Sequence, residues 1–262
     1  MPDLLKAIIL GIIEGITEFL PVSSTGHLIL ASEWLNFKNS ETFNISIQLG
    51  AILAVVIHYF SFFYKLAHPK NWLSKEMKLI FIAILPATTL GLLVHDFIKT
   101  HLFESTTVII ALFLGGIVMI YVDSVYKPKE STKCISNMTY KQSLFIGLFQ
   151  CFALWPGMSR SGSTIVGGIF SKLDYSTAAK FSFIIAVPIM FGAVSLDIFK
   201  ALKSGSLSSH DLQLIGIGML VSFIVGYLSI VTFLSLLKRW KLFPFGCYRI
   251  VLSVIFAYII FL

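Results

Sequence analysis

Charge is what this sequence has least of. Asp, Glu, Lys and Arg together make up 13% of 262 residues, against 56% hydrophobic, and the mean hydropathy is +0.88. A water-soluble globule of that composition would lack the polar surface to cover itself. Cysteine is scarce as well: Cys134, Cys151 and Cys247 stand far apart with no metal-ligand spacing, which argues against a disulfide framework and a thiolate zinc site and leaves three free thiols. No polar stretch is long enough for a soluble domain, so the net charge of +7 has no face on which to bind nucleic acid. The lysines sit instead in short loops between apolar segments, as in cytoplasmic loops of membrane proteins. Near the N-terminus, Lys6 precedes the apolar run Ala7 to Ile13 without a small-residue cleavage site, so a removable signal peptide is not expected.

What is present is a series of long apolar runs. Six are long enough for a hydrocarbon core that needs about 20 helical residues: Phe43 to Phe63, Met77 to Phe97, Thr107 to Tyr126, Ala178 to Phe199, Leu212 to Leu237 and Gly246 to Leu262. Two further stretches, Leu4 to Trp34 and Ser143 to Ser171, are apolar at both ends. They are broken in the middle by Pro21-Val-Ser-Ser-Thr-Gly26 and Pro156-Gly-Met-Ser-Arg-Ser-Gly162. Each half is short for a crossing, and non-helical backbone at membrane depth needs protein or a water-filled cavity around it. Both stretches therefore read as re-entrant hairpins lining a polar site.

The two halves of the chain resemble each other at an offset of about 136 positions. Gly11-Ile-Ile-Glu14 lies over Gly147-Leu-Phe-Gln150, and the two proline-containing breaks align with one gap. Each half continues with three apolar spans, and an odd number of crossings turns the second half upside down, the inverted arrangement of many transporters. The expected fold is an all-α integral membrane protein of six transmembrane helices and two re-entrant helical hairpins in one membrane domain. Its repeats would be residues 1–126 (hairpin 4–34) and 142–262 (hairpin 143–171).

Loop charge sets the orientation. Lys65, Lys70, Lys75, Lys78, Lys127, Lys129, Lys133, Lys141, Lys172, Lys180, Lys238, Arg239 and Lys241 fall on one side. Lys6, Lys38, Lys99, Lys200 and Lys203 fall on the other. The positive-inside rule makes the first set cytoplasmic and turns both termini outward, with the first hairpin entering from outside and the second from the cytoplasm.

Glu14 and Glu18 are four residues apart, so a helix puts both carboxylates on one face at membrane depth, where a compensating cation is needed. A hard metal ion such as Mg²⁺ or Ca²⁺, an arginine or a shared proton would each serve. The alternative is an interfacial pair kept soluble by snorkelling and water. Ser23, Ser24 and Thr25 follow with three hydroxyls, then Gly26 and His27. A serine three residues from a histidine, with carboxylates nearby, has the parts of a nucleophile, base and orienter set; as readily, a hydroxyl here caps the helix that follows. In the second hairpin, Ser159, Arg160, Ser161, Gly162 and Thr164 lie where a glycine-bearing turn opens a helix, a pattern suited to phosphate. Arg160 could equally pair with Glu14 or Glu18. Arg249, just inside the last span, offers a second phosphate clamp or a snorkelling interfacial group. Gln150, the counterpart of Glu14, reads as a supporting hydrogen bonder; Asp96, Asp123 and Asp197 read as solvated caps at span ends, and Asp174 as a loop residue. Carboxylates, a serine and histidine group and an arginine-hydroxyl loop together point to phosphoryl transfer or hydrolysis. A transporter or lipid flippase is the rival reading, because broken helices in inverted repeats also describe carriers.

The strings Glu14-Gly-Ile-Thr-Glu18-Phe-Leu-Pro-Val-Ser-Ser-Thr-Gly-His27 and Pro156-Gly-Met-Ser-Arg-Ser-Gly-Ser-Thr164 closely resemble the two signature motifs of the bacterial undecaprenyl-diphosphate phosphatases, the bacitracin-resistance family. Length, span pattern and Phe245-Gly-Cys-Tyr-Arg249 are similar too. The resemblance implies hydrolysis of undecaprenyl diphosphate to the monophosphate and phosphate, recycling the carrier lipid of peptidoglycan synthesis in the bacterial plasma (inner) membrane, with dependence on a divalent metal. It implies catalytic roles for Glu14, Glu18, Ser24, His27 and Arg160, and metal binding by Glu14 and Glu18. Substrate contacts would come from Ser23, Thr25, Ser159, Ser161, Gly162, Thr164 and Arg249. Bacitracin would compete for the same lipid. The site would open to the extracytoplasmic side, and the sequence is compatible with a monomer or a homodimer.

Overall fold

The computed structural model describes residues 1–37, 40–102, 104–126, 132–204 and 207–261. Lys38, Lys127, Lys129 and Leu262, used above, lie outside them. Among the described residues the chain is helical with no strands, save one isolated bridge between Thr132 and Leu173. Twelve α-helices follow in order: α1 (Asp3–Thr17), α2 (Ser24–Trp34), α3 (Ser40–His58), α4 (Phe60–Ala67), α5 (Lys75–Leu93), α6 (His95–His101), α7 (Ser105–Val125), α8 (Tyr140–Gln150), α9 (Arg160–Phe170), α10 (Tyr175–Lys203), α11 (Ser209–Trp240) and α12 (Phe243–Phe261).

Five of the six expected spans are helices long and apolar enough to cross a membrane: α5, α7, α10, α11 and α12. This is a multi-pass membrane protein. The sixth differs from expectation. Phe43 to Phe63 is not one straight span; the helix breaks at Tyr59 and α4 leaves α3 at 87°. Apolar composition alone could not reveal that bend, because α4 is itself rich in Phe and Tyr. Met77 to Phe97 likewise ends early, at Leu93, before the short α6.

The two broken stretches fold as hairpins whose ends meet. Lys6 Nζ donates to the Asn36 carbonyl at 3.2 Å, tying the start of α1 to the end of α2. Gln142 Nε2 donates to the Ser171 carbonyl at 2.7 Å, tying the start of α8 to the end of α9. With about 1.5 Å of rise per residue, none of these four helices reaches the roughly 30 Å of a hydrocarbon core. Proline and left-handed backbone make the breaks: Pro21 and then Ser23 (φ 71°) precede α2, and Pro156, Gly157 (φ 95°) and Ser159 (φ 70°) precede α9. The serine before each second helix adopts nearly the same unusual conformation.

The hairpins open at opposite ends of the bundle. Ala7, Leu28 and Phe37 pack with Leu207 and Leu214, at the junction of α10 and α11. The mouth of α8 and α9 lies instead beside Thr132, whose amide donates to the Lys172 carbonyl at 2.9 Å. That second end also gathers the lysine-rich loops: Lys75 Nζ reaches the Ser136 carbonyl at 2.7 Å, Lys180 lies over Tyr59 and Lys241 over Tyr175. Packing repeats with the halves exchanged, α1 lying on α11 and α8 on α5. Close approach makes this possible: a Cβ on Gly15 of α1 would stand 2.8 Å from the Gly226 amide nitrogen of α11. Asp123, expected as a solvated cap, instead caps α12 from another helix, accepting from the Leu242 and Phe243 amides at 2.7 and 2.6 Å and from the Tyr175 hydroxyl at 2.6 Å. Asp174 is the N-cap of α10.

Candidate active site

The turns of the two hairpins meet in the interior and enclose a cavity of about 160 Å³. The first hairpin supplies Glu18, Ser23, Ser24 and Thr25. The second supplies Ala153, Trp155, Pro156, Gly157, Ser159 and Arg160, with Gln48 from α3 and Met190 from α10 completing the wall. Glu18 joins the halves. Its Oε1 receives Arg160 Nη2 at 2.7 Å, and its Oε2 receives the Ser24 hydroxyl at 2.6 Å. Only 7% of Glu18 is exposed; a carboxylate so buried needs partners on both oxygens, and here one is a cation and the other a hydroxyl.

Arg160 is held from α10, where Nη1 donates to the Ser182 carbonyl at 3.2 Å and Nη2 approaches Met190 Sδ at 3.2 Å; its Nε has no partner among the described residues. Behind the cavity surface, a hydroxyl ladder fixes the turn. Ser159 Oγ accepts from the Gly162 amide at 3.1 Å as the N-cap of α9, and Ser161 donates to the Leu20 carbonyl of the other hairpin at 3.1 Å. Thr164 Oγ1 lies 2.6 Å from Ser182 Oγ.

Glu14 lies one turn before Glu18, entirely buried, and neither of its oxygens has a hydrogen-bond partner among the described residues. It sits close enough to Glu18 and Arg160 to interact electrostatically with both. Such an orphaned carboxyl suits a hard cation. No cluster of three or more His, Cys, Asp or Glu occurs among the described residues, but Mg²⁺ is commonly bound by one or two carboxylates together with substrate phosphates. A pair made of Glu14 and Glu18 fits that pattern.

The remaining expected residues divide. Ser23, Thr25 and Ser159 line the cavity, whereas Ser161, Gly162 and Thr164 stand behind it and shape it. His27 is turned away from Ser24. Its Nδ1 lies 2.8 Å from the Ser23 carbonyl, which can only accept, so in the neutral ring Nε2 accepts from the Tyr248 hydroxyl 2.7 Å away. Arg249, expected as a phosphate clamp, is fully buried with every donor used. It donates to Pro21, Met158, Gly157, Ala111 and Leu112 carbonyls at 2.9 to 3.3 Å. Those carbonyls belong to both hairpin turns and α7, so Arg249 cross-links the scaffold and keeps no N–H for a ligand. Gln48, Trp155, Met190 and Tyr248 were not anticipated. Gln48 and Asn44 are the two amides inside the apolar run Phe43 to Phe63, a signal that this helix meets polar groups but not which amide reaches the site.

Comparison with known proteins fits this geometry. A family model described as bacitracin resistance protein BacA matches residues 7–255. The chain belongs to that family. It is 48% identical over 264 residues to undecaprenyl-diphosphatase 1 of Bacillus cereus (strain ZK / E33L), covering 98% of each. It is 43% identical over 276 residues to the undecaprenyl-diphosphatase of Exiguobacterium sibiricum, covering 99% of each, and 45% identical to that of Macrococcus caseolyticus over 99% of this chain and 96% of the relative. The match to the BacA family includes all the cavity residues named above, the whole second hairpin and the first from Ala7 onward.

Proposed function

We propose that this chain hydrolyses undecaprenyl diphosphate to undecaprenyl phosphate and inorganic phosphate. That reaction recycles the carrier lipid of peptidoglycan synthesis and confers bacitracin resistance, since the antibiotic and the enzyme compete for one lipid. Full-length relatives bearing the name undecaprenyl-diphosphatase support the substrate. The observation that carries the reaction is the Ser24, Glu18, Arg160 chain across a buried cavity.

Ser24 serves as nucleophile in this reading. Its Oγ attacks the terminal phosphorus, its proton passes to Glu18 Oε2, and the bond from that phosphorus to the bridging oxygen breaks, releasing undecaprenyl phosphate. Water then cleaves the phosphoserine and regenerates the hydroxyl. Arg160 binds the transferred phosphoryl group; turning toward phosphate, it relaxes its hold on Glu18 and leaves that carboxylate a better base. The geometry favours Glu18 over His27 as the partner of Ser24, and His27 with Tyr248 then braces the Ser23 carbonyl at the turn. A divalent cation held by Glu14 and Glu18 would neutralise charge on the phosphate oxygens.

Localisation in the bacterial plasma membrane belongs to the same proposal, with the lysine-rich end cytoplasmic and the site reached from outside. So does descent of the two halves from an inverted repeat, which the matched serine conformations and exchanged packing support. Phosphate release from undecaprenyl diphosphate by purified protein in detergent with Mg²⁺, blocked by EDTA, tests the reading. No release there, with lipid movement in liposomes, would make the protein a carrier instead.

A further inference from the structure

The cavity holds one cation, Arg160, and one anion, Glu18, already paired at 2.7 Å. Its walls are therefore close to neutral, while each phosphate of a diphosphate carries between about one and two negative charges. Beside the charge that a divalent cation would supply, fixing the headgroup oxygens takes neutral donors, and two of those expected are occupied. Ser24 is bonded to Glu18, and Ser159 Oγ is shared between Ser161 Oγ and the Gly162 amide.

Among the described residues, the hydroxyls of Ser23 and Thr25 are without hydrogen bonds, and two further residues of the wall, Trp155 and Gln48, bring larger unpartnered donors from outside the two turns' hydroxyl runs. Trp155 Nε1 is buried and has no partner among the described residues, although an indole N–H can only donate and a buried donor left unmet weakens the fold. The Trp155 backbone is fixed, its amide donating to the Phe152 carbonyl and its carbonyl accepting from the Met158 amide, both at 3.1 Å, with Pro156 following. The point from which the ring projects is thus fixed before any ligand arrives. Gln48 projects from α3, a separate element, and its carboxamide makes no hydrogen bond to the described protein.

We infer that Trp155 and Gln48 are substrate-positioning residues, hydrogen-bonding the diphosphate oxygens from a neutral wall of the cavity. The inference rests on the hydrolase reading for the identity of the substrate. The fit comes from the donors alone: a donor-only group buried in the wall of a polar cavity requires an acceptor, and a phosphate oxygen is one.

Trp155→Phe keeps an aromatic ring, smaller than the indole, and removes the N–H. Gln48→Leu removes the amide at similar size, and Gln48→Glu replaces it with an isosteric like charge. Steady-state hydrolysis of prenyl diphosphate should show KM raised about ten- to a hundred-fold in Trp155→Phe and in Gln48→Leu, the loss of one hydrogen bond to a charged oxygen. Gln48→Glu should raise KM further, while kcat stays within about two-fold of wild type and the melting temperature is preserved. A second readout needs no turnover: calorimetric titration of the whole protein with inorganic diphosphate should show affinity reduced by a similar factor in Trp155→Phe. If wild type binds diphosphate but hydrolyses nothing, the hydrolase reading falls and the binding difference still decides this one. Unchanged KM and unchanged diphosphate affinity in folded Trp155→Phe and Gln48→Glu proteins would overturn the inference.

Discussion

Glu18 and Arg160, 142 positions apart, meet at 2.7 Å where the two hairpins touch. One pair thus connects the halves of the molecule and, in the proposed reaction, also serves the chemistry, which would couple stability and activity in it. Breaking a buried pair from one side leaves an uncompensated charge and costs about 3–5 kcal/mol. Arg160→Ala should lower the melting temperature and reduce phosphate release by on the order of 10³-fold or more, by analogy with other transition-state arginines. Arg160→Lys keeps the charge but loses the fork that serves Glu18, Ser182 and phosphate together, and should remain at least about ten-fold impaired. Because the two groups act as a unit, the Glu18→Gln, Arg160→Gln double variant should be scarcely worse than either alone. Near-normal turnover in Arg160→Ala would move the site elsewhere.

Ser24 tests the covalent route. Its hydroxyl donates to Glu18 at 2.6 Å, so Ser24→Ala leaves one oxygen of that buried carboxylate unpaired and costs about 1–3 kcal/mol of stability. Hydrolysis should nevertheless fall to background, and rapid acid quench of wild type during turnover should trap phosphate on Ser24. An active Ser24→Ala protein would mean direct attack by water.

The place of His27 follows from its partners rather than from its spacing to Ser24. Tyr248→Phe deletes the phenol facing Nε2 and frees the ring, while Ser24 and Glu18 keep their contact. If His27 braces the turn, Tyr248→Phe should lower kcat by only a few-fold and the melting temperature by a little, as one hydrogen bond warrants. A loss in Tyr248→Phe as deep as that in Ser24→Ala would return His27 to the reaction itself.

Much of this arrangement was legible in the sequence, and what escaped it has physical causes. Hydropathy locates α7, α10, α11 and α12 because a lipid-facing helix must be apolar along its length. The hairpins announce themselves through Pro21 and Pro156 in otherwise apolar stretches, and hydroxyls with a carboxylate and an arginine mark the turn chemistry. Contacts across long separations leave no such trace. Nothing near Arg249 in sequence says that Pro21 and Gly157 await it, so a buried arginine that binds carbonyls reads the same as one that binds phosphate. The 87° bend at Tyr59 is hidden because α4 continues the apolar composition of α3. Trp155 looks like an ordinary residue of an apolar segment, and Gln48 is not told apart from Asn44, until the cavity brings Trp155 and Gln48 together.

Arg249 gives the clearest separation of scaffold from chemistry. Five carbonyls, drawn from the turns of both hairpins and from α7, converge on its guanidinium. Replacing it with methionine leaves the Pro21, Gly157 and Met158 carbonyls of the two turns without donors, while Ala111 and Leu112 keep their bonds within α7; the loss is several kcal/mol when each buried acceptor costs about 1–3 kcal/mol. Arg249→Met should therefore fold poorly, with reduced yield and early melting. Arg249→Lys, with three donors on one nitrogen in place of five across a plane, should be intermediate. Any protein that does fold should keep its KM for prenyl diphosphate within a few-fold, because no N–H of Arg249 reaches the cavity. A stable Arg249→Met protein with KM raised a hundred-fold would contradict this, placing the guanidinium on the substrate rather than behind it.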